Sequence, residues 1–429
     1  MVKAMNVIEK YESEVRGYCR GFPCEFATAK GAWLTDKDGK RYLDFFAGAG
    51  ALNYGHNDDG MKQALLDYIA SDGVTHSLDM FSTAKREFLE RFFKVILEPR
   101  GMGEYKAQLP GPTGTNAVEA ALKLARKVTG RERVLSFTNG FHGMTLGSLA
   151  VTGNAFKRQG AGVPLNNATP MPFDGYLGDS VDTIEYIDAM LNDAGSGVDK
   201  PAAAIIETVQ GEGGVNVAST DWLKRLADVL KKHDVLLIVD DIQIGCGRSG
   251  RFFSFEEAGI KPDIVTLSKS LSGYGMPFAM LVFKPELDVW EPGEHNGTFR
   301  GFNPAFVTAT KALDFWTDDD FEKSVRRKSE LAIRSLEETA KLAKGLGASV
   351  RGRGLMLGIA FEAEGVASEM AADCFENGLI IETAGVNDEV LKLLPSLTIS
   401  EEDLEKGLGI VRDAVRKIAA KHGKGKAAA

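Results

Sequence analysis

Val235-Leu236-Leu237-Ile238-Val239-Asp240-Asp241-Ile242-Gln243 is an apolar run that ends in two carboxylates. A run this short and this apolar suits a strand buried on both faces of a parallel sheet. In open α/β sheets, ligands gather beyond the carboxyl ends of such strands. Asp240 continues the buried run and needs a partner there. A metal, a ribose or a protonated ring nitrogen would serve, and so would a plain strand cap. Comparable runs lie at 133–137, 203–209, 264–267 and 278–283, with helical patterns at 117–128 and 221–233. Strands alternating with helices predict an α/β fold.

Working outward, Ile264-Val265-Thr266-Leu267-Ser268-Lys269 ends a second apolar run in a lysine. An ammonium at a desolvated strand end has a depressed pKa and can form an imine with an aldehyde; in water it is an ordinary surface charge. Upstream, Gly111-Pro112-Thr113-Gly114-Thr115-Asn116 opens a helix whose Val118, Ala121, Leu122 and Ala125 share one face. Free N–H groups and the dipole make such a start either an anion site or a simple cap. It is not a P-loop, because no Gly-Lys-Ser/Thr follows. Taken together, an anion-binding helix start, a buried acid and a strand-end lysine are what pyridoxal 5'-phosphate requires: a phosphate cradle, a partner for the pyridine nitrogen and a lysine for the aldehyde.

The rest of the chain is consistent with a large soluble enzyme. It has 429 residues, 44% hydrophobic and 26% charged, with 51 Lys and Arg against 60 Asp and Glu and a formal net charge of −9. That balance gives no basic surface for nucleic acid or anionic membrane, and no apolar run is long enough to span a bilayer. The four cysteines include no CxxC pair, so no metal site is expected. Their scarcity suits a reducing, cytoplasmic setting, with a Cys19–Cys24 disulfide left open. Residues 1–20 read as a helix, 36–40 as a hairpin turn, 47–51 as a Gly-rich loop and 421–429 as a solvated tail.

These motifs resemble the class III aminotransferases, of pyridoxal-phosphate fold type I, over nearly the whole length. Residues 44–56 match the N-terminal signature of that class. Glu207-Thr208-Val209-Gln210-Gly211-Glu212-Gly213-Gly214 matches its Glu-Pro-x-Gln-Gly-Glu-x-Gly stretch with Thr for Pro, and 240–250 tracks a third motif with Asp241 for Glu. The resemblance implies a large domain, 60–320, with a mostly parallel seven-stranded-type sheet. It also implies a smaller α+β domain, 321–429, joined by residues 1–59. By resemblance, Lys269 bonds the cofactor and shuttles the proton, and Asp240 meets the ring nitrogen. Ile242 and Phe141 cover the ring faces, with His142 beside Phe141, and Gln243 lies near the ring hydroxyl. Gly114 and Thr115 hold the phosphate, Glu207 sits beside the cofactor, and Thr298 reaches the phosphate of a neighbouring subunit, which implies a homodimer or higher homo-oligomer.

Residues 12–20, 45–56, 75–80 and 141–145 resemble the branch of the class that moves an amino group from L-glutamate to L-aspartate 4-semialdehyde, the first step towards ectoine. Other branches act on ornithine, acetylornithine, putrescine or γ-aminobutyrate and stand as the alternative. Glu212 matches a glutamate that elsewhere releases an arginine for a substrate carboxylate. Here the arginine position is Lys392, and Met144 stands where other branches often have a second arginine. Lys392 is therefore expected either to hold a substrate carboxylate as a point charge or to be a surface lysine.

Overall fold

The computed structural model describes residues 7–178 and 180–427. Its central sheet has seven strands, in the order Lys106–Gln108, Met280–Phe283, Ile264–Leu267, Leu236–Asp240, Ala203–Ile206, Val134–Phe137, Ala168–Met171. Met280–Phe283 runs antiparallel to both neighbours, while the pairs from Ile264–Leu267 out to Ala168–Met171 are parallel.

The alternation of side chains along a strand explains why the runs are apolar throughout. Leu135, Phe137, Ile206, Leu237, Val239, Val265 and Leu267 join one core with Trp222 and Leu226 of the helix Thr220–Lys232. Val134, Ala203, Ile205, Ile238 and Ile264 join the opposite core with Val118, Ala121, Leu122 and Ala125 of the helix Gly114–Thr129. Each large aliphatic side chain fully buried in this way contributes about 1.5–3 kcal/mol. The same parity separates the two acids. Asp240 follows Ile238 onto the face of the helix Gly114–Thr129, and Asp241 follows Val239 onto the other.

Two four-stranded sheets flank the large one, and Val209–Gln210 pairs with Asn216–Val217 in a two-stranded ribbon. Phe26–Lys30, Trp33–Asp36 and Arg41–Asp44 form a meander around the expected turn, and Leu379–Ile380 adds to its edge in parallel. Ser349–Arg353, Met356–Ala360, Val390–Leu393 and Glu382–Ala384 form the second. Residues 379–384 thus leave one sheet at Ile380 and enter the other at Glu382. The two share a core in which Leu43 and Phe45 meet Leu357, Leu379, Leu391 and Val411.

Three sequence expectations need correction. The first twenty residues form two short helices, Val7–Tyr11 and Tyr18–Gly21, with residues 1–6 outside the described part. Between them the Ser13 hydroxyl accepts from the Val15 N–H and its carbonyl from Arg16 Nε, a local bonding pattern that competes with helix. The Gly-rich loop is a tight turn, Ala47–Gly50, with left-handed φ at all four residues. The helix Glu401–Ala427 runs through most of the expected tail, where Lys421 pairs with Glu369 at 2.8 Å; Ala428 and Ala429 lie outside the described residues.

Candidate active site

At the carboxyl edge of the large sheet lies a cavity of about 170 Å³. It brings together ten of the residues singled out from sequence: Gly114, Thr115, Phe141, His142, Glu207, Glu212, Asp240, Ile242, Gln243 and Lys269. Gly114 and Thr115 are the first two residues of their helix, so their N–H groups have no intrahelical acceptor. A Cβ on Gly114 would sit 3.0 Å from Ile242 Cδ1, and one on Gly143 would sit 2.5 Å from Thr115 Oγ1. Gly143 also has φ +133°. The cradle therefore depends on absent side chains. Thr115 Oγ1 donates to Ser148 Oγ at 2.9 Å.

Asp240 is 3% exposed, and both of its oxygens have partners. Its Oδ2 lies 2.7 Å from Nδ1 of buried His142, and its Oδ1 accepts from Thr266 Oγ1 at 3.1 Å and Ile242 N at 3.2 Å. Burial would lower the His142 pKa, but the Asp240 carboxylate outweighs it and raises the imidazole above its usual value. Glu207 accepts from the Phe141 backbone N–H at 2.8 Å, which anchors the chain that carries that ring; burial pushes its carboxyl up to about 7.

Lys269 follows its strand at φ +50°, a conformation that costs a non-glycine residue about 1–3 kcal/mol. The half-buried side chain lines the cavity, and desolvation lowers its pKa despite the nearby Glu212. Gln243 donates to Ala49 O and Glu212 Oε1, each at 3.0 Å, which ties the left-handed turn to the site. Its own buried Oε1 has no hydrogen-bond partner.

Behind Glu212 stands Lys392, fully buried, with Nζ 2.7 Å from Glu212 Oε1. The surface-lysine expectation is therefore wrong; the ammonium faces inward from Val390–Leu393, a strand paired on both sides. Burial alone would raise Glu212, but Lys392 and Lys269 overcome it and hold the carboxyl well below the usual range. Met144 is 55% exposed and lies outside this cluster. Thr298 is exposed and away from the cavity, its carbonyl oxygen 2.7 Å from His76 Nε2.

Sequence reasoning missed two things. Glu382, 8% exposed, lies 2.9 Å from Lys392 Nζ. The signal was a carboxylate ending the apolar run 379–382, the same cue that flagged Asp240. Thr208, where the class has Pro, donates to Ser254 Oγ at 2.6 Å and accepts from Arg353 Nη2 at 2.7 Å. Asp241, on the far face, accepts from Ser254 N at 3.0 Å, and burial pushes it up to about 7. Cys19, Cys24, Cys246 and Cys374 are all free.

The donor set fits pyridoxal 5'-phosphate. Free helix N–H groups and Thr115 suit a phosphate, a locked carboxylate suits a pyridinium, a desolvated amine suits an aldehyde, and the orphaned Gln243 Oε1 suits a ring hydroxyl. A fold type I α/β subunit with this constellation defines a pyridoxal-phosphate enzyme. The family model of class-III aminotransferases matches residues 18–415, and the chain belongs to that family. Among its relatives, the diaminobutyrate–2-oxoglutarate transaminase of Halalkalibacterium halodurans is 58% identical over 96% of this chain and 97% of its own. That of Nocardia farcinica is 61% identical over 96% and 94%. The crystal structure of ornithine aminotransferase from Toxoplasma gondii superposes with a TM-score of 0.83 at 25% identity, covering 96% of this chain and 94% of that one. A form of the same enzyme crystallized with oxidized glutathione shows partial occupancy of PLP at its active site (TM-score 0.81, 25% identity, covering 96% and 94%).

Proposed function

We propose that this enzyme transfers the amino group of L-glutamate to L-aspartate 4-semialdehyde, giving L-2,4-diaminobutyrate and 2-oxoglutarate. The observation that carries the chemistry is the cavity that places Lys269 beside the His142–Asp240 pair and the start of the helix Gly114–Thr129. The choice of substrates rests on the 58–61% identity to the two transaminases of that name.

Bound here, pyridoxal phosphate supplies an aldehyde and a ring that accepts an electron pair. Gly114 and Thr115 would hold its phosphate, Asp240 its ring nitrogen, Gln243 its hydroxyl, and Phe141 and Ile242 its faces. His142 and Thr266 keep Asp240 aimed by bonding both of its oxygens. Lys269, once its amine is free, takes the proton from the amino-bearing carbon of the donor and later delivers one to the aldehyde carbon of the acceptor. A depressed pKa suits an amine that must do both near neutrality. Glu212 neutralises Lys392 while the reacting end carries no carboxylate, and yields it when glutamate brings one.

The same reading includes a homodimer in the cytoplasm. A groove of about 1000 Å³ shares no lining residue with the cavity; exposed Phe81 and, two residues after Thr298, Arg300 line it. A partner covering that face would carry Thr298 to the other subunit's phosphate. The unit 60–320 would bind the cofactor, with 1–59 and 321–429 forming the smaller domain. Among the described residues no helix is long and apolar enough to cross a membrane.

The test is a coupled assay of purified holoenzyme with glutamate and aspartate semialdehyde. Formation of diaminobutyrate is expected. Turnover on ornithine with no diaminobutyrate would transfer the assignment to another branch of the class.

A further inference from the structure

The exchange between Glu212 and Lys392 leaves a third charged side chain without a task. Glu382 is the direct cross-strand partner of Lys392 in the antiparallel pair Glu382–Ala384 with Val390–Leu393, so both side chains share one face. One buried ammonium thus meets two carboxylates, Glu212 at 2.7 Å and Glu382 at 2.9 Å. They are held differently. Glu212 Oε1 takes aligned hydrogen bonds from Lys392 and Gln243, whereas Glu382 Oε1 is close to the ammonium but off the hydrogen-bond axis.

With both acids ionised, two buried carboxylates compete for the one ammonium of Lys392, which is costly. The loosely held acid is the one that relieves it by taking a proton. Burial, opposed by Lys392, pushes Glu382 up to about 7, while Glu212 stays ionised. The charged groups facing Glu382 are Lys392 from the adjacent strand, Glu212 from the turn after Val209–Gln210, and Lys269 from the large sheet. Tyr18, from the short N-terminal helix, also senses it. On the helix Val366–Glu376, packed on the same strand, Asp373 is tied to Lys417 and Glu369 to Lys421.

We propose that Glu382 is the positioning residue that lets one site accept two substrates with different reacting ends. Protonated, it leaves Lys392 a full positive charge for the glutamate carboxylate that displaces Glu212. Ionised, it keeps Lys392 neutralised and disfavours any carboxylate at that end, without touching the aldehyde end of the semialdehyde. An ammonium has three donors and no fixed plane, so a second acid also keeps it aimed while Glu212 is away. This inference rests on the proposed pair of substrates.

The probe is glutarate, an unreactive dicarboxylate, titrated calorimetrically into the holoenzyme. In the wild type its Kd should rise about fivefold between pH 7 and pH 8, as for a site that must be protonated with a pKa near 7, while the semialdehyde KM stays flat. Glu382→Gln should abolish the glutarate slope and tighten glutarate at pH 8 by roughly tenfold. Glu382→Asp should restore the slope. A flat wild-type glutarate profile would overturn the proposal and needs no variant. So would a Glu382→Gln enzyme that keeps the wild-type slope or shifts both substrates together, which is the signature of a packing role. Absence of turnover on the semialdehyde would sink the substrate reading instead, and the glutarate measurement would still judge Glu382.

Discussion

Replacing Lys392 with Met removes one buried charge, preserves the apolar stem and leaves Glu212 and Glu382 without the ammonium that both of them contact. Breaking a buried pair by deleting one partner costs about 3–5 kcal/mol. For a chain of this length, unfolding entropy converts that to a loss of roughly 3–6 °C in Tm. The loss should depend on pH. In the wild type, Glu212 is held below its usual range, so its contribution is present above the unfolded carboxyl pKa and fades as pH falls. In the variant both carboxyls are raised, so each destabilises as pH climbs from about 4.3 towards its folded value, and neither does at acid pH. Lys392 itself titrates far above this window. The Tm deficit of Lys392→Met should therefore be larger at pH 8 than at pH 5.5, where the lost Glu212 contribution dominates, measured by thermal unfolding of the holoenzyme in matched buffers. An equal deficit at both values, or none, would refute the reasoning that Lys392 offsets two buried carboxylates.

Lys269→Ala should lower turnover by at least about 10²–10⁴-fold, the contribution of a positioned acid–base group; a variant with normal turnover would remove Lys269 from the chemistry. His142→Leu strips Asp240 of its 2.7 Å partner and should cost about 1–3 kcal/mol of stability together with a fall in kcat, read by urea unfolding and steady-state kinetics. Unchanged kcat would show that Asp240 needs no orienting partner. Thr298→Ala should weaken pyridoxal phosphate binding by about 10–100-fold, the loss of one hydrogen bond to a charged group, in a spectral titration of the apoenzyme. An unaltered Kd would separate Thr298 from the phosphate site.

Most of the cofactor half of the site was legible because it is built from local patterns. Two apolar runs ending in Asp240 and Lys269, and one helix opening at Gly114, are each visible in a window of about ten residues. The parallel sheet then forces their ends to one edge. Lys106–Gln108 and Ala168–Met171 escaped notice because three or four residues at an edge carry little periodicity. The N-terminal helix was overread because charged residues spaced as in a helix say nothing about whether an apolar face exists to be buried; neither short segment buries a residue. Lys392 was left between two readings because a lysine in an otherwise apolar strand looks the same whether its ammonium reaches solvent or an internal acid.

The substrate half was harder to read for a topological reason. Glu212, Lys392 and Glu382 come from a loop of the large sheet and from two strands of a different sheet, brought together only when residues 379–384 cross from one sheet to the next. No window of sequence contains the triad, and its members belong to segments whose pairing depends on the whole smaller core. The division has a functional consequence. The residues proposed for proton transfer and ring binding, Lys269 and Asp240, are held at the ends of strands in a sheet covered on both faces. The residues proposed to meet the substrate's carboxylate stand on the seam between two sheets, where an exchange of lysine for arginine with a second acid beside it leaves the positions of Lys269 and Asp240 untouched.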